Sequence, residues 1–267
     1  MLRLHATFQN ESPIALTPYD RIYPFLKGAP GDLQYAYFEL QQSDKWITTI
    51  NCLWSQLGRS QRRKLRQSYL SLIARGCHKA GLYEEAIETG RKYLRYIRES
   101  LQEPFRSSNL AQEYANTMAP SYQALGRSQQ VAQAFQKAEH YLSRYEYELK
   151  ENPLTVEGWT IDQFVAPYAN VGYGALMCQQ DAAALRLFRT AQSIRPGHIV
   201  VLFQLAGLVL EVEHDRDTSL RYLQQAVTTA SSQRGTGGKL VRSWFRESRL
   251  FGAVQDDDAF LQVVGRE

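Results

Sequence analysis

The chain has 267 residues, 44% of them hydrophobic and 22% charged, an ordinary balance for a soluble protein long enough to bury a sizeable core. No apolar run approaches the roughly 18 residues that span a bilayer, and Met1 to Leu16 lacks the apolar centre of a signal peptide, so no membrane insertion and a cytoplasmic location are expected. The net charge of +4 is uneven: residues 1–108 hold 16 Lys and Arg against 10 Asp and Glu, and Arg59 to Arg98 holds 11 basic residues against 3 acidic.

Residues 1–31 contain Pro13, Pro18, Pro24 and Pro30, which argue for an extended or turned arm. Its aromatics, Phe8, Tyr19, Tyr23 and Phe25, imply that it packs on the helical array. Helical spacing returns at 32–58, where Leu33, Tyr37 and Leu40 and then Trp46, Ile50, Leu53 and Trp54 suggest a degenerate hairpin ended by Gly58. The basic run from Arg59 opens the next helix, and a hairpin over 67–98 turns at Gly81. Glu103-Pro104 stops that helix, with Ser107 or Asn109 as the cap of the next. A second hairpin, 109–143, turns at Gly126, and its last helix carries on through Tyr145 and Leu149 into an insert, 141–162, whose loop bears Trp159. Pro167 lies near a helix start, where a missing N–H costs little, whereas Pro120 lies deeper and is expected to kink its helix. Two further hairpins span 164–196 and 197–231. Residues 232–267 then read as a linker, a helix from Leu240 to Arg249, and a short final helix with an acidic start near Asp256, together capping the last hairpin.

Gly172, Phe188 and Ala191 recur 35 residues later as Gly207, Leu223 and Ala226. A fixed period of this size, with small residues at matched places on paired helices, marks stacked helical hairpins. With Tyr168, Ala184 and Pro196 in the 164–196 copy, Ala119, Tyr122, Gly126, Phe135 and Ala138 in 109–143, and the Gly81 to Ala86 turn in 67–98, the unit resembles the tetratricopeptide repeat. That resemblance implies an all-α chain, a right-handed α-solenoid of stacked antiparallel helical hairpins over 32–231. Gln179 and Asp181 stand where the family has a turn Gly and an aromatic. Tyr114-Ala115-Asn116 matches Tyr168-Ala169-Asn170 at a spacing of 54, while the small residues after them match at 53. A kink at Pro120 would account for that difference.

No catalytic, metal or cofactor site is written in the chain. The five histidines form no i, i+3 or i, i+4 pair with one another or with Cys52, Cys77 or Cys178, which read as buried thiols. Gly235 to Leu240 fails the phosphate-loop spacing, and the Asp256-Asp257-Asp258 run reads as a helix start.

The remaining candidates are surfaces. By the resemblance, first helices line a concave groove for a partner protein or peptide. The groove positions are Arg75, His78 and Lys79 in the first copy, Asn116 and Gln123 in the second, Asn170 and Tyr173 in the third, and Gln204 and Glu211 in the fourth. Asn116 and Asn170 could bond a bound backbone or bridge neighbouring helices. The family's carboxylate clamp is missing, since Ser71 and Arg75 occupy its places. Trp159 could touch the partner or pack on the array. The expected function is a non-enzymatic scaffold or adaptor binding another protein. Residues from Arg62 to Trp159 also resemble the helical activator domain of some bacterial transcription regulators, so the alternative is a regulatory module. In that reading the basic stripe of Arg62, Arg63, Lys64 and Arg66 contacts nucleic acid.

Overall fold

A computed structural model describes residues 43–152, 159–233, 242 and 249–265, and every regular element among them is a helix. The N-terminal arm, the start of the 32–58 hairpin, the tip of the 141–162 insert and nearly all of 234–248 lie outside those residues. The chain divides into two compact units, residues 1–96 and 97–267.

In the first unit, α1 (Ser43–Gln56) and α2 (Arg59–Lys79) run antiparallel. Tyr69 stacks on Trp54 with ring centroids 3.9 Å apart, and its hydroxyl donates to Asn51 Oδ1 at 2.9 Å. The last carbonyls of a helix have no partner within it. Arg62 supplies one for α1, donating through Nε to the Trp54 carbonyl and through Nη2 to that of Ser55, at 3.1 and 2.5 Å. Helix α3 (Tyr83–Ser100), in which the division falls, returns along α2. Ile50, Leu57, Leu65, Leu72, Ile73, Cys77 and Ala86 form the shared core.

In the second unit, α4 (Phe105–Glu113), a π turn (Tyr114–Met118) and α5 (Ala119–Ala124) make one interrupted helix, paired with α6 (Ser128–Glu151). Helices α7 (Ile161–Met177) and α8 (Asp181–Ile194) form the next hairpin, and α9 (Ile199–Val212) and α10 (Arg216–Gln233) the last. A 3₁₀ turn (Arg249–Val254) and α11 (Asp258–Val264) then bring Phe251, Phe260 and Val264 against Leu202, Leu223 and Ala226. Asp257 starts α11 by accepting from the Ala259 N–H at 2.9 Å, and it also pairs with Arg216.

Each inter-helix turn of a hairpin from α2 onward is made by a residue in the left-handed region. These are Gly81 (φ 78°), Gly126 (φ 70°), Gln179 (φ 58°) and His214 (φ 55°). Gln179, where the sequence lacks the expected glycine, therefore adopts the glycine conformation at a steric cost. The helix after Pro104 is capped by neither Ser107 nor Asn109. Glu103 does it, its Oε2 accepting from the Ser107 N–H and hydroxyl at 3.1 and 2.6 Å.

Both prolines are accommodated differently from the sequence expectation. Pro120 is only the second residue of α5, and the irregularity precedes it as the π turn, where the Ala119 N–H donates to Tyr114 across five residues. A π turn is one extra residue inside an α-helix. That residue is the difference between the spacings of 54 and 53. Pro167 is the seventh residue of α7, too deep for the free first turn, and it leaves the Gln163 carbonyl without its helical donor. The Tyr145 hydroxyl donates there instead, at 3.4 Å.

Close approach in this unit depends on two glycines. A Cβ on Gly172 would stand 3.2 Å from the Phe188 ring, and one on Gly174 would stand 2.2 Å from the Ala115 carbonyl oxygen. The second contact sets α7 directly against the backbone of the π turn.

Candidate partner-binding face

The first unit holds Arg75, His78 and Lys79 on the last turns of α2. Arg75 is exposed and bonds its own helix, donating to Ser71 Oγ at 2.7 Å. His78 lies half-buried with its ring 5.6 Å from that of Tyr83, and burial, aided by the Lys79 charge, lowers its pKa to about 4. Of the basic stripe, Arg62 is committed to the α1 carbonyls, and the Arg66 guanidinium lies 5.8 Å above the Tyr96 ring. Arg63 is exposed, and Lys64 shares the helix.

The second unit holds the other candidates on its first helices: α4 to α5, α7 and α9. Asn170 donates to Gln112 Oε1 of the neighbouring first helix at 2.6 Å, the inter-helix alternative. Gln112 stands four residues before Asn116, one helical turn away, and that spacing could have singled it out. Asn116 lies in the π turn. Its Oδ1 and the Oε1 of Gln204 are buried with no hydrogen-bond partner. Neither amide nitrogen is buried and unpaired in that way, and neither makes a hydrogen bond to a described residue. Gln123, Tyr173 and Glu211 are exposed.

Helical geometry groups these residues. At about 100° per residue, Val200, Gln204 and Glu211 fall within about 40° of one another on α9, and Ala166, Asn170, Tyr173 and Met177 within about 60° on α7. Exposed apolar side chains share these helices: Phe105, Ile161, Tyr173, Val200 and Val212 are each at least 39% exposed. Phe105, Ile161 and Val200 carried no signal in the sequence, because an apolar residue on a helix reads as core until its neighbours are placed. Trp159 packs. Its ring lies 4.5 Å from Phe105, 5.3 Å from Phe164 and 6.4 Å from Tyr145.

Charge is nearly absent from this face. The first helices of the second unit carry four charged residues, whereas α6 alone carries seven. Glu113 is buried, Asp162 pairs with Arg195, and Arg106 donates to the Leu101 carbonyl and meets Glu103. Only Glu211 among the four is exposed with neither an ion pair nor a hydrogen bond to a described residue.

Three successive antiparallel pairs in the second unit, each turned by one left-handed residue and interlocked through small residues, decide the architecture. The fold is all-α and tetratricopeptide-like. No family model matches the chain, and no curated protein matches it. Among solved structures, the chain is similar to the TPR2AB-domain:pHSP90 complex of yeast Sti1, at 16% identity and a TM-score of 0.34, covering 91% of this chain and 99% of that one. Among the described residues no group of three His, Cys, Asp or Glu could hold a metal ion. No described helix is long and apolar enough to cross a membrane.

Proposed function

We propose that the chain is a protein-binding scaffold or adaptor, acting in the cytoplasm, that holds a segment of a partner protein across the first helices of its second unit. The observation that carries this reading is that the first helices of this unit bear both exposed apolar side chains, Tyr173 and Val200, and carboxamide donors, Asn116 and Gln204, that no described residue uses. Exposed apolar surface bordered by polar groups favours protein partners. Nothing in the described residues suggests chemistry on that face.

The test is capture from lysate by the immobilised chain at two salt concentrations, with and without nuclease. A protein retained by the wild type under all conditions and lost with the Tyr173→Ala/Gln204→Ala variant supports the reading. Retention of nucleic acid alone, lost at high salt and with Arg63→Ala/Arg66→Ala, replaces it with the nucleic-acid alternative.

A further inference from the structure

We infer that the second unit carries, apart from the candidate residues above, a site for a single phosphoryl group built from Arg98, Lys137 and the hydroxyls of Tyr114 and Tyr141. Its ligand is a phosphorylated side chain of the protein partner. That choice of ligand rests on the protein-binding reading, whereas the anion site does not.

The last turn of α3, the π turn and α6 come together at Tyr114, and all four residues belong to the second unit. Arg98 Nη2 donates to the Tyr114 hydroxyl at 2.6 Å, and the Lys137 ammonium lies 5.3 Å from the centre of the same ring. Tyr141 follows Lys137 by one turn of α6, and its ring stands parallel to that of Tyr114 with centroids 6.0 Å apart. Burial works to lower the Arg98 pKa, but the oxygens of Tyr114 and Tyr141 raise it on balance. The guanidinium therefore stays charged while facing two phenols.

These four groups supply donors and no base. A tyrosine oxygen that accepts from a guanidinium keeps its own proton to give. Neither hydroxyl has an acceptor among the described residues, and exposed Arg98 and Lys137 form no ion pair there. The acidic residues flanking these positions are engaged elsewhere or turned away. Glu139 pairs with Arg186, Glu103 meets Arg106 and Arg144, and Glu113 is buried. Glu99 follows Arg98 directly and so lies about 100° round the helix from it. Two cations and two hydroxyls suit a group with several accepting oxygens and more than one negative charge. A phosphate monoester brings three such oxygens and a charge of about −2, and charge-assisted bonds of this kind are the strong ones. A carboxylate brings two oxygens and a single charge. A nucleic-acid backbone is the competitor, because Arg95 and Arg91 continue along α3 from Arg98. Convergence of the cations on one ring favours one group over a track of phosphates, and α6 extends no track, with three Lys and Arg against four Glu.

The experiment titrates the full chain with phenyl phosphate at constant ionic strength, followed by two-dimensional NMR. Fluorescence anisotropy then compares random peptides that carry a central phosphoserine with the same peptides carrying serine. Phenyl phosphate should bind saturably, about tenfold more weakly in Lys137→Gln and in Arg98→Gln, and about threefold more weakly in Tyr141→Phe. Lys137 is exposed, so its variant tests the site without disturbing the π turn. Phosphopeptides should bind at least about tenfold more tightly than their serine forms, and Lys137→Gln should erase that preference. Absence of saturable binding, or binding that survives Lys137→Gln, would overturn the site. Phenyl phosphate binding with no preference for phosphopeptides, or inorganic phosphate binding more tightly than either, would overturn the partner as the source of the group. Tighter binding of single-stranded RNA, lost in Arg91→Ala/Arg95→Ala, would replace it with nucleic acid. Failure of the protein-binding reading is a separate result: no partner captured, with phenyl phosphate binding through Lys137 intact and unchanged in Tyr173→Ala/Gln204→Ala, which supports the site and removes its proposed ligand.

Discussion

Gly174→Ala is the sharpest test of the packing. The new Cβ would stand 2.2 Å from the Ala115 carbonyl oxygen, 2.5 Å from its carbon and 3.0 Å from its Cβ. A carbon and a carbonyl oxygen tolerate approach to about 3.3 Å, so the two backbones must part by about 1 Å. A gap of that size forfeits a quarter to a half of each dispersion contact along the crossing, and overpacking of this kind costs about 1–3 kcal/mol or more. Alanine returns about 1 kcal/mol of helix propensity. Because the clash is with backbone, the cost lies at the upper end of that range and a net loss of about 2 kcal/mol is expected, read from urea unfolding followed by circular dichroism and tryptophan fluorescence. Gly172→Ala meets only the Phe188 ring and Leu187 Cβ at 3.2–3.3 Å and should cost less, while Gly252→Ala meets nothing within 4 Å and should be near neutral. If Gly174→Ala is as stable as the wild type, or gains the propensity term, the crossing is not as close as described and the account of the π turn fails with it.

Gln179→Gly should raise stability by about 1 kcal/mol, because the side chain now holds a positive φ of 58°, and no gain in the unfolding midpoint would refute that strain. Tyr145→Phe should cost about 1 kcal/mol in the wild type and clearly less in a Pro167→Ala background, where the helix supplies its own donor to Gln163; equal losses would show that the hydroxyl serves no such purpose. His78 contributes stability that is complete above its unfolded pKa of 6.5 and drains away as pH falls toward about 4, because the unfolded chain takes the proton first. The loss, at most about 3 kcal/mol, should be much smaller in His78→Gln when unfolding is compared at pH 7 and pH 4. Burial pushes the Cys77 and Cys178 thiols up to about 11, so iodoacetamide at pH 8 should label exposed Cys52 and spare both until the protein unfolds. Labelling of all three at one rate would contradict that burial.

The helices were readable because their apolar residues repeat at helical spacing, and the first-helix candidates because register carries position. Tertiary compensation was not readable. Nothing near Pro167 in sequence announces that Tyr145 will serve the Gln163 carbonyl, and nothing in the Arg62-Arg63-Lys64 run separates the arginine that ends α1 from its neighbours. Gly174 was passed over because only Gly172 lies on the 35-residue period, whereas its tight neighbour belongs to the preceding hairpin. For the face itself, the polar members were legible and the lack of charge was not, since Arg106, Glu113 and Asp162 appear in the sequence as charges and only the fold shows each to be buried or paired.

The π turn has a wider consequence for how such a chain can vary. An extra residue in an uninterrupted α-helix advances the phase of everything beyond it by about 100°, turning a buried stripe toward solvent. Confined to Tyr114–Met118, the phase error is absorbed within a single turn. Ala111 before it and Tyr122 after it are both buried. The segment behaves like a dislocation in a crystal, a local fault that preserves the lattice around it, and lets hairpins of unequal length share one stacking geometry.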